Sequence, residues 1–205
     1  MGSSIEYDVY VKDVGSGCVA GIYLVESDDG RCSPNVSQDN GLPQCRTIDV
    51  MQANKYGFET KAHPCSNGTC DAISQCIIGM QDEAMQIHGA DAFGPGGSKI
   101  DTDVRFHVKT EFVSTSDYEK FWKLRTTLSQ NGIIIQMEKD CGDYLVGLNN
   151  PISQGMSVVF SSWKDATRNE GFELDRGQNV SETCDQASSW ISNFTINQYD
   201  AKEDP

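Results

Sequence analysis

The chain has 205 residues, of which 30 are acidic and 16 basic, giving a formal charge of −14 and a mean hydropathy of −0.46. That length can bury one sizeable core, while so acidic a surface argues against nucleic acid or an anionic membrane as partner, since both repel it. No apolar run reaches transmembrane length, so no membrane partner is expected.

Met1-Gly2-Ser3-Ser4 leads directly into a strand-like segment, so the chain is expected to be a mature form or a fragment whose leader has been removed. From there the apolar pattern has period two nearly throughout. Ile5 to Val11 alternates Ile5, Tyr7, Val9 and Val11 with polar residues. Val19 to Val25 is a continuous apolar run, as in a strand buried on both faces. Gln81 to His88 predicts a short helix. Arg105 to Val113 places Phe106, Val108 and Phe112 on one face, and Arg105, His107, Lys109 and Glu111 on the other. Phe121 to Leu128 and Ile133 to Met137 flank Gln130-Asn131-Gly132, and Asn-Gly is a strong tight-hairpin signal. That hairpin favours strand over helix for most of Asp117 to Leu124. Met156 to Trp163 and Ile191 to Tyr199 complete the set, and a polar tail from about residue 200 is expected to fray. Many short strands joined by Gly-rich turns predict an all-β sandwich or jelly roll, taken as a single domain over residues 1–205.

Eight cysteines are an even count and too many for an ordinary cytosolic domain of this size, so a disulfide framework is expected. Four sequons begin at Asn35, Asn67, Asn179 and Asn193, and such sites accept N-linked glycans only in a secretory compartment. A secreted, extracellular protein follows. Paired C-x-x-C knuckles are lacking, and His88 and His107 have no partners at ligand spacing, so neither a metal nor a cofactor is expected.

The stretch Cys45-Arg46-Thr47-Ile48-Asp49-Val50-Met51-Gln52-Ala53-Asn54, with His63-Pro64-Cys65 downstream, resembles the active-site strand of the family 7 glycoside hydrolases, the cellobiohydrolases and endoglucanases that cut β-1,4-glucan. Further segments resemble the family in the same order. They are Ile5 to Val11, Cys18 with Gly21 to Val25, Phe93 to Thr102, the Gln130-Asn131-Gly132 hairpin, Ser153 to Met156, and Ser192 to Ile196. The resemblance implies a concanavalin A-like jelly-roll β-sandwich, abbreviated at its N-terminus, because the family domain is longer and nothing before Ile5 matches its first part. Either the chain is a compact relative or upstream residues are missing. The resemblance also implies four disulfides, Cys18–Cys184, Cys32–Cys45, Cys65–Cys70 and Cys76–Cys141, which use all eight cysteines.

Retaining glycosidases need two carboxylates about 5–5.5 Å apart, one as nucleophile and one as acid then base. The family supplies them as E-x-D-x-x-E on one strand, with a local irregularity bringing the third residue round. Here those positions hold Thr47, Asp49 and Gln52. A threonine hydroxyl without a base is a poor nucleophile, and a glutamine amide has no proton to give, so no catalytic pair is intact. Asp49 matches the family's helper acid; acting alone, it would need Glu59 or another acid from the opposite wall. His63 and Tyr23 match a histidine and a tyrosine of the family's cleft, and Asp175 matches the acid of its Trp-Leu-Asp. Two stacking tryptophans of the family are Met51 and Glu173 here, leaving Tyr10, Tyr144 or Trp163 to replace them. Trp122 and Trp190 are expected in the core or a hairpin.

The expected glycan-binding set is therefore Asp49, Gln52, His63, Tyr23, Asp175 and Trp163. The expected function is a noncatalytic pseudoenzyme that binds a β-glucan or another polysaccharide as a monomer. The alternatives are a divergent cellulose hydrolase, or a structural or host-interaction protein that uses the sandwich as a scaffold.

Overall fold

The computed structural model describes residues 3–27, 32, 44–66, 69–70, 74–79, 91–115, 120–164 and 184–198. Its strands in chain order are β1 Ser3–Tyr10, β2 Cys18–Glu26, β3 Thr47–Asn54, β4 Gly57–His63, β5 Cys65–Ser66, β6 Thr69–Cys70, β7 Cys76–Gly79, β8 Phe93–Gly94, β9 Ile100–Asp101, β10 Phe106–Ser114, β11 Phe121–Gln130, β12 Ile133–Asp140, β13 Met156–Lys164 and β14 Trp190–Gln198. A 3-10 helix, Gly142–Leu148, and a short α-helix, Asn149–Gln154, lie between β12 and β13. The expected helix at 81–88 and the polar tail fall outside the described residues.

Two five-stranded antiparallel sheets form the sandwich, in the order β12-β11-β10-β1-β14 and β13-β2-β3-β4-β7. The core between them follows from the alternation in the sequence. Ile5, Tyr7 and Val9 of β1 and Phe106, Val108 and Phe112 of β10 are buried and face Ile22, Ile48, Phe58 and Ile78 of the second sheet. The alternate residues of β1 and β10 point outward. At the β11–β12 hairpin, Asn131 (φ 52°) and Gly132 (φ 81°) adopt the left-handed backbone that an Asn-Gly turn supplies. The all-β jelly-roll sandwich is therefore the fold.

Four disulfides are present, joining the same four pairs that the resemblance implies. Two of them staple the sheets together on opposite flanks. Cys18–Cys184 ties β2 to the entry of β14, and Cys76–Cys141 ties β7 to the exit of β12. Strands β4 and β7 were not expected from the sequence. In β4 the inward residues are Phe58, Thr60 and Ala62, and only the first is large and apolar. Thr60 is tolerated inside because its hydroxyl shares a hydrogen bond with that of Thr126 from the facing sheet, at 3.0 Å.

Candidate functional site

One irregularity in β3 builds the site. On the β2 side, Tyr23 pairs with Asp49 and Ile22 with Met51, leaving Val50 as an extra residue. On the β4 side, Lys61 pairs with Asp49 and Glu59 with Gln52, so two residues of β3 oppose Thr60 alone. Such a bulge resets the two-residue alternation. Thr47 and Asp49 share the outer face at i and i+2, and Gln52 returns to that face three residues later. Val50 and Met51 are both fully buried beneath it. The Val50 carbonyl accepts hydrogen bonds from the Tyr7 hydroxyl of the facing sheet at 3.1 Å and from Thr60 Oγ1 at 3.4 Å. Burial holds the Tyr7 phenol well above its ordinary pKa, so it stays a donor.

On the outer face three predicted residues meet. Gln52 Nε2 donates to Asp49 Oδ2 at 2.5 Å, and His63 Nε2 lies 3.3 Å from the same oxygen. Thr47 stands directly across the β3–β4 ladder from His63. Asp49 is only 8% exposed, so its carboxylate is committed to these neighbours and little open to water. Tyr23, half-buried, lies beside Asp49 on β2. Trp163 reaches the same face by a close approach. A Cβ on Gly21, the β2 partner of Gln52, would fall 2.5 Å from the indole of Trp163, so the ring rests on bare backbone next to Gln52. Asp175 lies outside the described residues, as do Asn35, Asn67, Asn179 and His88.

Glu59 is not on an opposite wall. It sits on the neighbouring strand, directly across from Gln52, and is 5% exposed. It forms an ion pair with Lys61. Burial raises the Glu59 pKa and the nearby Asp49 charge adds to the rise, while Lys61 and His63 oppose it. Gly79, its partner on β7, makes room, because a Cβ there would lie 2.7 Å from that of Glu59. Sequence reasoning missed Lys61 and the role of Gly21. The signal was the spacing Glu59, Lys61, His63 at i, i+2 and i+4, which marks one face of a strand.

The tryptophan and tyrosine expectations divide. Trp122 is buried, as expected. Trp190 is 74% exposed, which corrects its expected place in the core or a hairpin: it begins β14, an edge strand of its sheet among the described residues. Tyr10 is on the outer face of the other sheet, and the Tyr144 hydroxyl braces the 3-10 helix against Gln75 N at 3.0 Å, so neither joins Tyr23 and Trp163 on this face. Among the described residues no cluster of three or more His, Cys, Asp or Glu is placed to hold a metal ion. What the face offers is two aromatic rings on β13 and β2 beside the hydroxyl, amide, imidazole, carboxylate and ammonium groups of β3 and β4.

A bulged strand at the middle of one sheet of a jelly roll defines the class of fold. No family model and no curated protein matches the sequence. Solved structures match closely in shape. An endoglucanase I complexed with cellobiose superposes with a TM-score of 0.72 at 16% identity, over 98% of this chain and 69% of that one. A Melanocarpus albomyces cellobiohydrolase complexed with cellotetraose gives 0.67 at 17% identity, over 100% and 71%. A Daphnia pulex family 7 cellobiohydrolase gives 0.63 at 19% identity, over 80% and 58%. The fold is that of the family 7 glycoside hydrolases.

Proposed function

We propose that this protein is a noncatalytic glycan binder that lays a β-1,4-glucan segment across the outer face of the second sheet. One observation carries this reading: the Gln52 amide, where the resemblance puts the acid/base, is bonded to Asp49, the remaining carboxylate of the strand. An amide at that place can hold a glycosidic or hydroxyl oxygen and cannot protonate it. Tyr23 and Trp163 supply the apolar planes that sugar C–H faces need, and Thr47, Gln52 and His63 supply polar contacts on the neighbouring strands β3 and β4. Support for a glucan ligand comes from the neighbours in shape, two of which are complexed with cellobiose and cellotetraose. The test pairs two measurements. Reducing-sugar release from soluble β-1,4-glucan should stay at the buffer blank, while the same polymer retards the protein in an affinity gel and Trp163→Ala abolishes the retardation. Turnover that Asp49→Asn removes would overturn the proposal.

A second reading has one observation in its favour. Glu59 stands across the ladder from Gln52, and burial helps it hold a proton, so Asp49 and Glu59 could act as a displaced pair in slow glucan hydrolysis. Turnover lost in Glu59→Gln identifies that case. A folded sample that is neither active nor retained by any glycan would leave the scaffold reading. We further infer a secreted, monomeric, single-domain protein with Asn35, Asn67, Asn179 and Asn193 as glycan acceptors. Asn193 lies on the outer face of the first sheet, where Nδ2 donates to Asp8 Oδ2 at 2.7 Å. A mass shift of the secreted chain on enzymatic deglycosylation tests this.

A further inference from the structure

The opposite outer face of the sandwich carries a feature that the Asp49 and Trp163 face does not use. Tyr10 of β1 and Trp190 of β14 are direct partners across an antiparallel ladder, which sets both side chains on one face with Cβ atoms about 5 Å apart. Trp190 is left 74% exposed. Together they line a cavity of about 420 Å³ with Asp103, Val104, Arg105 and Ser192. Its loop wall is held in place from beneath. Gln130, 8% exposed, donates from Nε2 to the carbonyls of Asp101, Val104 and Arg105, and its Oε1 accepts from Asp101 N. Asp101 Oδ1 in turn accepts from Asp103 N at 2.9 Å. The wall is therefore shaped before any ligand arrives, which lowers the ordering cost of binding.

We propose that this cavity is a second glycan-binding site, which takes a short stretch of neutral polysaccharide independently of the Trp163 face. A pyranose ring offers C–H groups on its faces and hydroxyls around its rim. Tyr10 and Trp190 match the first, and Asp103, Ser192 and Arg105 match the second with acceptors and donors. The ligand is neutral for an electrostatic reason. The Arg105 charge is balanced by Asp8, 3.9 Å away, Asp103 lies in the wall, and the chain carries −14 overall. An anion would gain nothing here.

The three tryptophans provide the experiment. Indole N–H resonances of the ¹⁵N-labelled full chain are followed during titration with cellohexaose, laminarihexaose, mannohexaose and xylohexaose, each resonance being assigned by its Trp→Phe variant. Buried Trp122 is the reference, Trp163 reports the cleft, and Trp190 reports this site. Thr195→Ala, which removes the neighbouring sequon, is run in parallel so that a covalent glycan at Asn193 does not compete. At least one hexasaccharide should shift Trp190 saturably, and Tyr10→Ala should weaken that response about tenfold without changing any response at Trp163. A Trp190 resonance silent to all four sugars in both backgrounds overturns the proposal. So does a Trp190 shift that follows protein concentration without sugar, alongside a dimer in sedimentation, because the surface would then serve self-association. A Trp190 response beside a silent Trp163 keeps this site and removes the cleft reading.

Discussion

The Asp49 carboxylate has one oxygen shared by two neighbours, Gln52 and His63, and Gln52 is an amide with no proton to exchange. General acid catalysis is worth about 10²–10⁴-fold and a nucleophile adds to it, and neither an amide nor a hydroxyl without a base supplies them. Across the sandwich, Asp8 shows a carboxylate used for stability. Burial pushes its pKa up, but hydrogen bonds from His107 and Asn193, with the charges of His107 and Arg105, outweigh burial and leave it below the ordinary value. A lowered folded pKa means that the folded state binds this proton more weakly than the unfolded chain does. The stabilisation is therefore present above the unfolded value of about 3.9 and is lost as pH falls through the lower folded value. Asp8→Asn should flatten the acid limb of the Tm against pH curve below about pH 4. An unchanged acid limb would show that Asp8 contributes nothing there.

At the scale of elements, the bulge in β3 is the decisive structure, since it turns Gln52 to the same face as Thr47 and Asp49. Tyr7 secures it from the other sheet. Tyr7→Phe would take one of two hydroxyl partners from the Val50 carbonyl, costing roughly 1–2 kcal/mol in urea unfolding. If stability is unchanged, Thr60 alone satisfies that carbonyl. β2 contributes by what it omits at Gly21. Gly21→Ala would press a methyl into the Trp163 indole, and overpacking of this kind costs about 1–3 kcal/mol or moves the ring. Glucan retention in an affinity gel should then fall as it does in Trp163→Ala, with far-UV circular dichroism preserved. Retention at the wild-type level would place the sugar away from Trp163. The same element explains part of what the sequence hid. The inward Thr60 and Ala62 of β4 weaken the apolar alternation, and the Thr60 hydroxyl is accommodated by Thr126 across the core and by the Val50 carbonyl.

At the scale of the molecule, two disulfides hold the sheets together at opposite flanks. Cys18–Cys184 spans 166 residues of sequence, and in the chain-entropy model so long a loop is worth about 5 kcal/mol. Replacing both cysteines by serine should lower unfolding stability by about that amount, and a change under about 1 kcal/mol would mean that packing alone closes the β2–β14 side. The sequence by itself determined a good deal. Period-two alternation fixed the strand faces of β1 and β10, Asn131-Gly132 fixed the hairpin, and the residues of the Cys45–Asn54 stretch with the ordered matches around it carried the family resemblance and its cysteine pairs. These are local signals, readable because a strand's faces and a turn's backbone depend on neighbours in the chain. Tertiary structure decided the rest. It set Glu59 beside Gln52 instead of across a cleft, laid Trp163 on Gly21, and left Trp190 in solvent next to Tyr10. Each of these depends on which strands are neighbours and which strand has none beyond it, and no periodicity within a single strand encodes that.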